Sequence, residues 1–188
     1  YTALFNLAEF YEDLLTPVMY RIGVLWEQGK LSVATEHVCS NIANGLIHSF
    51  NDSKRAKAGK SVILICSPEG EIHHIAADVL ASILLRHGYK VHNAAPSLPA
   101  DSIARFLAES SPRLVMISVT LVDNLGAAKR LVKEIRKSYQ IPIIVGGAAV
   151  RTLNEEERKQ IEKAYKISVV TESSLENVLQ FVKIATTA

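Results

Sequence analysis

Glu71-Ile72-His73 sets a carboxylate two residues before an imidazole, just after an apolar run. Neutral imidazole is a good ligand for cobalt or iron, and such a histidine is usually steadied by an acceptor on its other ring nitrogen. Glu71 is close enough in sequence to be that acceptor, and Ser118, closing another apolar run, could extend the relay. A second constellation lies upstream, where Trp26 is followed ten and eleven residues later by Glu36 and His37. An indole with a Glu-His pair beside it can cover one face of a flat ligand whose other face meets the first constellation. Plainer readings exist for both. Glu71 and His73 could be a solvated pair opening a helix, with the acid favoured near its positive end. Trp26 could be helix core, with Glu36 and His37 an exposed polar pair. Further candidates are the hydroxyls of Ser118 and Thr120 and the pair Gly146-Gly147, which lets backbone approach a bulky ligand without Cβ interference.

These side chains need elements to position them. From Ser61 onward, five short runs rich in β-branched residues (61–66, 90–95, 114–119, 142–147 and 167–170) alternate with helical patterns at about 73–87, 100–109, 123–138, 150–165 and 173–185. Such alternation predicts a parallel sheet covered on both faces, and five strands favour the flavodoxin-like order 2-1-3-4-5. Ligands of that fold bind at the carboxyl ends of strands one and three, where the order reverses. Those ends are 67–73 and 118–121. Before residue 52 the pattern is helical. Leu4, Leu7, Phe10, Tyr11, Leu14, Leu15 and Val18 form one stripe. Pro17 should bend this helix or start a new one. Gln28-Gly29-Lys30 reads as a turn and Ser32 as the N-cap of a second helix carrying Val38, Ile42, Leu46 and Ile47. Two helices cannot enclose a core, so they must pack on the next domain, another copy or further helices. The predicted division is a helical cap over 1–52, a polar basic linker over 53–60 and a Rossmann-like α/β domain over 61–188.

Bulk properties exclude several classes. In 188 residues, 21 Lys and Arg stand against 19 Asp and Glu, a net charge of +2. That is no field for nucleic acid or an anionic membrane. Cys39 and Cys66 lie in apolar segments and form no CxxC pair, which fits a reduced, cytoplasmic setting. No apolar run approaches the ~20 residues of a membrane helix. Phosphate-binding glycine loops, GxSxG, HExxH and zinc-type spacings are absent. The first strand ends in Ser67-Pro68, without the acidic pair of a response regulator. The chain opens on Tyr1 in mid-pattern, as a fragment would.

The segment SPEGEIHHIAADVLASILLRHGYKVHNAAPSLP, with SVTL and VGGAAV further on, resembles the cobalamin-binding domain of methionine synthase and corrinoid proteins. That family's motif is Asp-x-His-x-x-Gly, then Ser-x-Leu, then Gly-Gly. The resemblance covers about 61–188. It implies that His73 replaces the cofactor's dimethylbenzimidazole as lower ligand to cobalt, that Glu71 holds its other nitrogen and that Ser118 completes the relay. It also implies that Ser118, Thr120, Gly146 and Gly147 line a channel for the nucleotide tail. Glu71 stands for the family's Asp, Ala76 for its Gly and Thr120 for its Leu, with Leu121 one place late. The Ala76 methyl is expected to crowd the cofactor.

IGVLWEQGKLSVATEH is similar to the helical cap, part of a four-helix bundle, of CarH-type adenosylcobalamin-dependent photoreceptors, which read W-x9-E-H here. Methyl carriers instead resemble a cap lacking the Glu-His pair. The likeness implies that Trp26 shields the Co–C bond, Glu36 hydrogen-bonds the adenosine and His37 supports it. Where the photoreceptors place a histidine directly after the tryptophan, this chain has Glu27, so the upper cobalt position after illumination falls to solvent or to His37. The expectation is a non-enzymatic light sensor that loads adenosylcobalamin, with methylcobalamin or hydroxocobalamin as other possible forms. Its output would be a homo-oligomer or a regulatory protein partner, with DNA reached only through a domain absent from this chain. Alternatives are a corrinoid methyl-carrier protein of a methyltransferase system, a light-independent cobalamin sensor, and an α/β binding module with no corrin.

Overall fold

The β-branched runs form five parallel strands: β1 (Val62–Cys66), β2 (Lys90–Asn93), β3 (Leu114–Ser118), β4 (Ile143–Gly146) and β5 (Ser168–Val170). Their order in the sheet is β2-β1-β3-β4-β5, as the alternation predicts. The computed structural model describes residues 6–51, 61–171 and 174–187. Helices α4 (Ile75–Arg86), α5 (Ala100–Ser110), α6 (Leu125–Ser138), α7 (Glu155–Tyr165) and α8 (Leu175–Thr187) follow the strands in turn.

Strand alternation divides the core. Leu64, Cys66, Val115, Ile117 and Val145 face Ile103 and Leu107 of α5 and Leu131, Val132 and Ile135 of α6. Ile63, Ile65, Leu114, Met116 and Ile144 face Ala77, Ala81 and Leu84 of α4 and Val182 of α8. Both faces are apolar because every crossover of a parallel sheet lays a helix on it. Burial pushes the Cys66 thiol up to about 12, so it is a small core hydrophobe.

The first helical stretch is one rod of three parts: α1 (Leu7–Glu9), a π-helix (Phe10–Leu15) and α2 (Thr16–Glu27), with Pro17 at the junction of the π-helix and α2. After the turn at 28–30, α3 (Val33–Asn51) begins on Ser32, whose Oγ accepts the Thr35 amide at 3.1 Å. These helices pack on the next domain. Leu7, Tyr11, Leu15, Ala43 and Ile47 meet Val79 and Ile83 of α4. Buried Tyr11 donates its hydroxyl to Ser82 at 2.9 Å, and the Leu175 amide donates to the Glu12 carboxylate at the start of α8.

The apolar stripes are wider than this seat. Leu14, Val18, Val38, Ile42 and Leu46 are exposed, whereas Ala43 and Ile47 are buried. One surface of α4 accepts a single row from each helix, and the neighbouring apolar rows turn away from it. Leu4 and the predicted linker at 53–60 lie outside the described residues. Two helix starts also move. The helix expected from 73 begins at Ile75, because the His73 amide is held by Glu71 instead. The helix expected from 150 splits into a 3-10 segment (Ala148–Thr152) and α7, which is started by a capping box between Asn154 and Glu157.

Candidate functional site

Glu71 is the hub of the sheet's carboxyl edge. It is wholly buried, in the loop between β1 and α4, and five donors converge on it. Oε1 accepts the His73 amide at 3.1 Å and His73 Nδ1 at 2.7 Å. Oε2 accepts the Thr120 amide at 2.8 Å, the Leu121 amide at 3.0 Å and Asn124 Nδ2 at 3.0 Å. Burial alone would raise the Glu71 pKa, but the bonds from His73, Leu121, Asn124 and Thr120 outweigh it and hold the group at about 2. One carboxylate thus ties the loop after β1 to the loop after β3.

His73 is the outward end of this hub. The Glu71 hydrogen bond raises its pKa against the opposing effect of burial. Its side chain is 45% exposed, and with Nδ1 committed to Glu71 the tautomer leaves the Nε2 lone pair free to bind a metal. Exposed Ile72, Leu121 and Val122 stand on the same two loops, an apolar rim suited to a flat ligand. Among the described residues no three His, Cys, Asp or Glu side chains converge as a metal cage. What the site offers is one nitrogen.

The relay expected through Ser118 takes another route. Ser118 is buried at the end of β3, opposite Gly146 in register, and the group that reaches Glu71 is Asn124. Sequence reasoning missed Asn124, which stands 53 positions from Glu71 and opens α6 as its N-cap residue. A polar side chain at a helix start beside strand three is the signal that could have marked it. Thr120 contributes its amide. Gly147 holds φ +111°, and a Cβ there would lie 2.3 Å from the Val119 carbonyl oxygen, so the crossing of the β3 and β4 ends requires glycine. A Cβ at Gly146 would meet only ordinary contact, 3.5 Å from the Val170 oxygen. Ala76 lies exposed in the first turn of α4.

The helical cap brings Glu36 to the same place. Glu36 and His73 are near enough that each field shifts the other's titration. Glu36 accepts Ser40 Oγ and His37 Nδ1, both at 2.6 Å, and these bonds lower its pKa, Ser40 first. His37 is thereby oriented by Glu36 with its ring largely in solvent. Trp26 ends α2 with 44% of its surface exposed and belongs to none of the described core clusters, so it is not helix core. His74 forms a second bridge to the cap. Its Nδ1 donates to Asp78 at 2.7 Å, and Asn44 of α3 approaches its Nε2 at 3.5 Å.

One buried group is left over. Ser67, the residue after β1, is wholly buried, and its Oγ has no hydrogen-bond partner.

Residues 61–179 match a family model described as a B12 binding domain, and residues 2–48 match a second model of the same description. The HTH-type transcriptional repressor CarH of Myxococcus xanthus is 27% identical over 76% of this chain, which spans 48% of that protein, about half its length. Trimethylamine corrinoid protein 1 of Methanosarcina mazei is 29% identical over 76% of this chain and 69% of its own. Among solved structures, the methanol:cobalamin methyltransferase complex MtaBC from Methanosarcina barkeri superposes with a TM-score of 0.56 at 16% identity, covering 94% of this chain and 67% of that one. A cobalamin-binding protein from Desulfitobacterium hafniense DCB-2 gives 0.57 at 15% identity, covering 95% of this chain and 84% of that one. At such identities the structural likeness speaks to the fold.

Proposed function

From the membership of this chain in the B12-binding domain family, we propose that it is a light sensor that reads adenosylcobalamin between its cap and its sheet. Cobalamin binding follows from the family, and the residues present fit the group. His73 offers one neutral, pre-oriented nitrogen to a metal that arrives with its other ligands, and the exposed rim of Ile72, Leu121 and Val122 offers apolar support to a macrocycle. When bound in its adenosyl form, the cofactor supplies a cobalt–carbon bond that visible light cleaves.

This chain's residues would hold and read it. His73 would hold the metal through Nε2, with Glu71 keeping the proton on Nδ1. Glu36, braced by Ser40 and His37, would present a carboxylate to the adenosyl group's hydroxyls. Trp26 would cover that group from the end of α2. Loss of the upper ligand would release Trp26 and Glu36 from their contacts and shift the cap, a two-state element biased by what lies beneath it. The observation that carries the reading is the electrostatic reach of Glu36, a cap residue, to His73 on the sheet edge, with Trp26 ten residues before it. The output would be a change in assembly with another copy or a regulatory partner. The protein would act as a sensor and not an enzyme.

A second reading is favoured by the corrinoid-protein relatives: a methyl carrier serving a methyltransferase. The deciding experiment loads the protein with adenosylcobalamin in the dark, then records absorption and elution volume before and after green light. A light-driven change in both supports the sensor. A spectral change with no change in elution volume, together with methyl transfer from methylcobalamin to a thiol or amine acceptor system, would move the assignment to the carrier.

A further inference from the structure

Two successive histidines at the sheet edge are held in the same way. His73 Nδ1 meets Glu71 at 2.7 Å, and His74 Nδ1 meets Asp78 at 2.7 Å. Each carboxylate keeps the proton on Nδ1 and leaves the Nε2 lone pair free. The two rings differ in what Nε2 faces. His73 presents it to the open edge, whereas His74 presents it to the cap, where Asn44 Nδ2 of α3 donates at 3.5 Å. From below, the His74 ring is fixed. Asp78 also accepts Asn93 Nδ2 of β2 at 2.7 Å, and Asn93 Oδ1 accepts the Ala95 amide at 3.1 Å. Only the cap contact is soft. It lies at the long limit of a hydrogen bond, and the Asn44 Oδ1 beside it is buried without a partner.

Glu36, Ser40 and Asn44 recur every fourth residue and so share one stripe of α3. Ser40 is bonded to Glu36, the Glu36 charge is felt by His73, and Asn44 meets His74. One stripe of the cap therefore spans both histidines. The seam around it is unequal. The first rod is pinned by complete bonds, from buried Tyr11 to Ser82 and from the Leu175 amide to Glu12. Helix α3 has its apolar seat at Ala43 and Ile47, one long bond and an orphaned acceptor. Folded proteins leave few such acceptors, and a small lift of α3 would let water satisfy this one. The rod is anchored, and α3 is the part with freedom to move.

We propose that His74 is a positioning residue: through Asn44 it makes the placement of α3 felt by the loop that carries His73, so that cap and metal ligand are coupled through the chain itself and not only through a bound cofactor. A shift of α3 carries Asn44 with it, Asn44 bears on the His74 ring, and the preceding residue is His73, whose amide and ring both hang on Glu71. The coupling has two discrete arrangements, Asn44 on His74 or Asn44 in water, which is what a physical pathway between two sites requires. Its functional sense rests on the reading of His73 as the lower ligand. The coupling belongs to the chain and is tested without cofactor.

The reporter is the His73 backbone amide, which Glu71 holds at 3.1 Å. Its hydrogen exchange is followed by NMR in the whole cofactor-free chain, with the β3 amides as the measure of global opening. Asn44→Ala should speed exchange at His73 about three- to tenfold, the worth of one hydrogen bond, and leave β3 unchanged. His74→Asn, whose amide reaches Asp78 but not Asn44, should do the same, and the double variant should add nothing to either. His74→Gln, whose amide stands where Nε2 stood, should restore most of the protection. Unchanged exchange at His73 in Asn44→Ala, a rise shared equally by β3, or additive effects in the double variant would overturn the coupling. A dark adenosylcobalamin spectrum identical in His73→Ala and wild type would remove the lower-ligand reading alone, because the exchange result decides the coupling by itself.

Discussion

Five hydrogen bonds onto one carboxylate make Glu71 the residue on which the candidate site turns. Glu71→Gln keeps the shape but cannot anchor the His73 Nδ1 proton as a charge, so cobalamin affinity should fall ten- to a hundredfold by spectroscopic titration, the usual cost of losing a metal ligand's supporting acceptor. The same residue sets an acid limit for the cofactor-free protein. Its folded pKa of about 2 lies below its ordinary 4.5. The stability it contributes is therefore fully present above pH 4.5 and drains away as pH falls toward 2. Urea unfolding at stepped pH should show that loss in the wild type and a flatter profile in Glu71→Gln. Of this hub, the contact between Glu71 and His73 was legible, because two residues in one loop can touch whatever surrounds them. Asn124 and the backbone amides were not, since only the pairing of β1 with β3 brings them near. Ser67 was hidden for a similar reason: burial without a partner is a property of packing, not of spacing.

Strands and helices were read more completely than the site, because periodicity is local. The five strands and their order follow from apolar runs and turn residues, but helix starts depended on side-chain bonds, at Glu71 for α4 and at Asn154 for α7. The cap was read least well. Its stripes predict more buried residues than the seat on α4 accepts, so Val38, Ile42 and Leu46 remain outside while Ile47 goes in. Gly147 is the element-scale position with least tolerance. Gly147→Ala demands both a positive φ and a carbonyl oxygen 2.3 Å from its methyl. It should cost more than about 3 kcal/mol, seen as a large drop in melting temperature or loss of soluble protein. At the cap, Trp26→Ala should weaken adenosylcobalamin several-fold more than methylcobalamin in parallel titrations if, as proposed, the indole covers the larger upper ligand. Equal weakening of the two would assign Trp26 a purely structural part.

For the molecule as a whole, the proposed function has the cap and the sheet share one ligand. A cofactor that binds only the folded, closed form adds RT ln(1 + [L]/Kd), about 2.7 kcal/mol at a hundredfold excess over Kd. For a domain of this size that is roughly 5–10 °C in melting temperature. Cobalamin should raise the Tm by that order in a dark thermal scan, and His73→Ala should remove most of the rise. The seat of the cap also has a history in time. Part of it is α8, where Leu175 and Leu179 pack against the cap and the Leu175 amide meets Glu12 across 163 positions of sequence. At roughly 5–20 residues per second on a ribosome, the cap emerges on the order of ten to thirty seconds before the helix that completes its footing. During synthesis the rows that seat on α4 gain that cover first, and their contacts with Leu175 and Leu179 close last.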